Sequence, residues 1–198
     1  MQKYVAFMTG LPLRGGPDRE KVQRLYTRLG FSNVETFRAV DNVIFETAPV
    51  GVVGPLEAQI SRHMRRSLNK DDIWTFIRTP AELAKIVRDI PFSAEVLSKK
   101  ENHLFVTLLT DPLDDRTKRE LRIRRSYNDE FVPADTHIYW LRHVTDESVA
   151  PQPLSEIVDT HATVRSLQTL LGLHNLISNP VAAVKPRDDL TSPRVIDA

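Results

Sequence analysis

The chain has 198 residues, 41% hydrophobic and 27% charged, enough apolar content for one domain or two small ones sharing a core and too much for disorder. Its 27 Lys and Arg balance 26 Asp and Glu to leave a net charge of +1, so no global field draws nucleic acid or an anionic membrane and such binding requires a local patch. Cysteine is absent, which excludes disulfides, thiolate zinc sites and a cysteine nucleophile and fits a reducing, cytoplasmic compartment. The opening MQKYVAFMTGLPLRGG has too short an apolar run for a signal peptide, and no run reaches the roughly 18 apolar residues of a membrane span.

YVAFMT (4–9) is a short apolar strand, followed by a loop punctuated by Gly10, Pro12, Gly15, Gly16 and Pro17. Val22, Leu25, Tyr26 and Leu29 then recur on one helical face, with Pro17 expected at the start of the helix and Gly30 at its end. NVETFRA and NVIFETA alternate at period two around a turn near Asp41 and Asn42, which predicts a hairpin. Gly54 and Pro55 open a second helix with Leu56, Ile60, Met64 and Leu68 spaced by four, and DIWTFIR (72–78) is a fourth strand. The order strand, helix, strand, strand, helix, strand is that of a ferredoxin-like plait.

Alternation predicts Val5, Phe7, Val43, Phe45, Ile73 and Ile77 on one face of that sheet and Tyr4, Met8, Ile44, Trp74 and Phe76 on the other. Both faces are apolar, and the helices of a plait cover only one. The other requires the second half of the chain, another chain or a ligand, of which the second half is the simplest cover.

TPAE (79–82) is a capping box, and Leu83, Ile86, Val87 and Ile90 form the stripe of a helix that Pro91 ends. The pattern then restarts with HLFVTLLT (103–110), a charged helix from about Pro112, and a hairpin of EFVPA and THIYWLR. LSEIVDT and ATVRSLQTLLGL are expected to be helical, the latter stopped near Gly172. VAAVK (181–185) is the only candidate for a closing strand, and the proline-containing end follows it. The expected class is therefore α+β: two tandem ferredoxin-like halves, the second without an evident closing strand. The boundaries are 3–78, a bridging helix and linker at 79–100, a second half at 101–175 and a C-terminal extension at 176–198.

Several stretches resemble the domain-of-unknown-function family 1697 of uncharacterised bacterial proteins. They are AFMTGLPLRGGPD (6–18), LGFSNVETFRAVDNVIFET (29–47), the AELAKIV helix with Pro91 and Phe92, HLFVTLLT, and ATVRSLQTLLGL. The likeness spans about residues 3 to 172 and is better on the scaffold than on polar positions. Thr9 stands for the family's Arg, Pro12 for its Asn and Pro17 for its Lys, Arg14 is an insertion, and Val40 and Asp41 replace Ser-Gly, leaving Asn42 as the matching polar residue. Of the family's closing Arg-Asn-Trp-Asn-Thr-Val, only Thr163 and Val164 remain. The resemblance implies a fold and no reaction.

The spacing Gly10-x4-Gly15-Gly16 raises the question of a phosphate loop. A nucleotide P-loop needs Lys and a hydroxyl after its last glycine, because backbone N–H groups cradle phosphates while Lys supplies charge and the hydroxyl binds magnesium. Here Gly16 and Pro17 occupy those places, and Asp18 and Glu20 put negative charge in the first turn, where it suits the helix dipole and repels an anion. The loop reads better as a bend. Gly10, Arg14, Gly15, Gly16, Arg19 and Asn42 stand as the anion-binding candidates.

RHMRR (62–66) and RTKRELRIRR (116–125) are basic clusters, but acidic neighbours make the second a solvated face that offers nucleic acid only weak, non-specific contact. The six histidines have no metal-ligand spacing, and DPLDD (111–115) is read as supplying a helix cap at Asp114 or Asp115 rather than a magnesium site. No catalytic residue, metal or cofactor is implied, and the partner and any self-association stay open. The leading expectation is a non-enzymatic binding or interaction protein. The alternative is an enzyme or a nucleotide- or anion-binding protein with a site around Thr9, Gly10, Arg14, Asn42 and the C-terminal helix. Convergence of Arg14, Asn42 and Arg165 on one cleft would favour that alternative.

Overall fold

A computed structural model describes residues 1–11, 15–124, 126, 128–143, 154 and 158–178. The first sheet is formed by β1 (Gln2–Thr9), β2 (Ser32–Thr36), β3 (Asn42–Thr47) and β4 (Trp74–Arg78), with α1 (Arg19–Arg28) and α2 (Gly54–Leu68) as connections. After α3 (Pro80–Arg88) and the short α4 (Ala94–Leu97) come β5 (Asn102–Leu109), α5 (Asp115–Ile123), β6 (Asp129–Pro133), β7 (His137–His143), β8 (Ala162–Ser166) and α6 (Leu167–Ser178). The class is α+β. Both sheets are four-stranded and antiparallel, in the orders β2-β3-β1-β4 and β6-β7-β5-β8.

Local chemistry sets the helix ends. Asp18 accepts from Lys21 N at 2.7 Å, so Asp18 caps α1 and Pro17 lies outside the helix, which starts at Arg19, two residues later than expected. Thr79 and Glu82 complete the capping box of α3, and Asp114 caps α5. Two polar residues beside the apolar stripe of α2 seal the sheet. β4 is an edge strand, and Glu57 accepts from Ile77 N at 2.6 Å while Ser61 accepts from Thr75 N at 2.9 Å, so outward N–H groups of that edge are already occupied.

The register corrects the expected faces of β1. Tyr4 pairs with Phe45 and Ala6 with Val43, so Tyr4, Ala6 and Met8 join Val43, Phe45, Ile73 and Ile77 under α1 and α2. Val5 and Phe7 instead share the opposite face with Ile44 and Phe76. Every residue from Tyr4 to Met8 is buried, and an unbroken apolar run carries no phase to assign its faces. The opposite face is covered from within the chain: Val5, Phe7, Ile44 and Phe76 form one core with Leu104, Val106, Tyr139 and Leu141 of the second sheet and Leu170 and Leu173 of α6. α6 also packs on α3.

The ATVRSLQTLLGL stretch departs most from expectation. Its first five residues are β8, which pairs with β5 from Phe105–Ser166 to Leu109–Ala162 and so provides the closing strand. Thr163 and Val164 are β-branched and suit a strand, and Ser166 Oγ accepts from Thr169 N at 3.3 Å at the point where the helix begins. α6 then runs through Gly172 to Ser178. Gly172 is there for packing, since a Cβ would press into the Phe37 ring. VAAVK, the C-terminal extension from 179 and residues 155–157 of LSEIVDT lie outside the described residues, while Val158, Asp159 and Thr160 of that stretch are not helical as expected.

Candidate functional site

The end of β1 is where the two sheets meet a loop. Gly10 has φ +76°, and a Cβ there would collide with the carbonyl of Asp72, so glycine is required by close backbone approach as well as by its dihedral. Across from it the turn between β2 and β3 is tied by Phe37 N to Asn42 O at 2.9 Å and by Asn42 Nδ2 to Phe37 O at 3.3 Å. Arg38 sits at φ +58° within that turn.

β8 brings Arg165 between these segments. Its Nε donates to Asn42 Oδ1 at 2.7 Å, Nη1 to Thr163 Oγ1 at 2.7 Å and Val164 O at 2.8 Å, and Nη2 to Met8 O at 2.7 Å and Asp41 Oδ2 at 2.9 Å. A guanidinium has five N–H donors, and all are engaged by protein acceptors. The Arg165 side chain is 11% exposed, and burial lowers its pKa while the Asp41 charge opposes the shift. Around it lies a cleft of about 310 Å³ walled by Thr9, Gly10, Val40, Asp41, Thr163 and Arg165.

Trp74, paired with Thr9 at the same end of the first sheet, is half-buried. The His161 ring stacks on it with centroids 3.3 Å apart, and the Arg65 guanidinium lies 4.4 Å from its centroid. His161 thus meets β4, and four residues on Arg165 meets β1 and β3.

A second arginine makes the reciprocal connection. Arg78, at the far end of β4, donates from Nη2 to Leu109 O and Thr136 O, both at 2.9 Å, and so reaches from the first half into the second. Glu57 stands 3.9 Å away with both side chains buried. Burial raises the Glu57 pKa and lowers that of Arg78, while their opposite charges work against both shifts.

The anion-binding candidates therefore divide. Gly10 lines the cleft, and Asn42, 3% exposed, is bonded to Arg165 behind it. Gly15 and Gly16 are exposed in the loop, and exposed Arg19 donates to Arg38 O at 2.8 Å. Arg14 lies outside the described residues. Of the basic clusters, Arg116 pairs with Glu120 and Lys118 with Asp135 on α5, and Arg65 is held by Trp74. Among the described residues no group of three or more His, Asp or Glu could hold a metal ion, and no helix is long and apolar enough to cross a membrane.

Sequence reasoning singled out Arg165 and Asn42 but missed Glu57, Arg78 and Asp41 as their counterparts. The available signal was positional: Glu57 and Ser61 are polar residues four apart beside an apolar stripe, and Arg78 closes an apolar strand.

Fold and site together define an α+β protein whose two sheets share one core and exchange arginine contacts at both ends of β4. Residues 1–139 match the family described as "Protein of unknown function (DUF1697)", and the chain belongs to that family. Among solved structures it is similar to the conserved bacterial protein SP0830 from Streptococcus pneumoniae, with 14% identity and a TM-score of 0.63 over 89% of this chain and 98% of that one, a likeness of fold alone. No curated protein matches the chain.

Proposed function

We propose that the chain is a non-enzymatic binding or interaction protein built of two tandem ferredoxin-like plaits. The first spans 3–78 and the second 101–175, with 79–100 as bridge and 176–198 as C-terminal extension. The order β2-β3-β1-β4, with α1 and α2 as crossovers, supports the first plait, and its repetition as β6-β7-β5-β8 supports the second. The absence of cysteine supports a cytoplasmic setting.

One observation carries the functional reading. Arg165, the cation lining the first-loop cleft, has all five donors engaged by protein acceptors, three of them in the first half, so it has none to offer a phosphate or a developing negative charge. Nucleic acid is left with weak, salt-sensitive contact through α5, where ion pairs already compensate part of the charge.

The alternative, an enzyme or a nucleotide- or anion-binding protein with its site near the glycine-rich loop, is favoured by a different observation: Gly10, Asp41 and Arg165 do line one cleft, with Asn42 bonded to the guanidinium. Calorimetric titration with inorganic phosphate, Mg-ATP and Mg-GTP at low ionic strength separates the two. Flat titrations are expected. Micromolar affinity for any of the three would overturn the non-enzymatic reading in favour of the alternative.

A further inference from the structure

We draw no further inference here: the strongest candidate, the exposed face of α1 and α2 that carries Arg24, Arg28, Arg62 and Arg66, is surface charge with nothing in the structure to say what covers it.

Discussion

Replacing Arg165 by Met keeps the length of the apolar stem and removes the guanidinium that ties β8 to the first half. Five partners from elsewhere in the fold or its own strand lose their donor: the Asp41 carboxylate, Met8 O, Asn42 Oδ1, Thr163 Oγ1 and Val164 O. Breaking a buried ion pair from one side costs about 3–5 kcal/mol because the remaining charge is stranded. Asp41 is 32% exposed, and its Oδ1 keeps the bond from Asn42 Nδ2, so water and a neighbour relieve part of the loss. About 3 kcal/mol is therefore expected, at the low end of that range. Arg165→Lys retains the charge but not the planar fork of donors and should recover about half of it. The assay is urea unfolding followed by circular dichroism, at unchanged slope. A loss below about 1 kcal/mol, the value of an exposed pair, would refute the view that Arg165 fastens the two halves.

Gly10→Ala should destabilise by about 3 kcal/mol, combining a left-handed backbone with a collision at the Asp72 carbonyl, whereas Gly15→Ala, with open space around it, should cost only about 1 kcal/mol; equal midpoints in urea would contradict this division. Burial, then the nearby Arg78 and Lys85 charges, push the His137 pKa down to about 4, so the ring takes up a proton more readily when unfolded, and its contribution is full above about pH 6.5 and is lost as pH falls to about 4. At roughly 1.4 kcal/mol per pH unit this amounts to about 3 kcal/mol across the window, and a stability-versus-pH curve for His137→Leu that still falls as steeply there would assign the loss elsewhere. Any RNA binding should weaken steeply with salt and survive Trp74→Ala; its loss in that variant, with the fold intact, would make the ring a base-stacking platform.

The parts of the fold legible in the sequence are those encoded locally. The Thr79–Glu82 capping box lies within four residues, and the hairpin of β2 and β3 is written in alternation around a polar turn. β8 was hidden because Val164, Leu167, Leu170 and Leu171 continue one helical spacing across the strand–helix junction, while its pairing partner β5 lies more than fifty residues away in the chain. The site was legible as residue types but not as roles. Arg165 and Asn42 could be singled out as polar residues, but their mutual bond joins positions 123 residues apart, and nothing local distinguishes an arginine that holds two sheets from one that holds a ligand.

The most direct measurement is the 1H–15N spectrum of the arginine Nε–H groups, with the Arg165 resonance identified by its absence in Arg165→Lys. If the guanidinium is wholly engaged within the protein, that Nε–H, bonded to Asn42 of the first half, should exchange slowly with water and remain unmoved by millimolar phosphate or Mg-ATP. Rapid exchange, or a saturable shift on adding either anion, would show a guanidinium free to receive a ligand and would contradict the assignment of Arg165 to joining β8 to the first half.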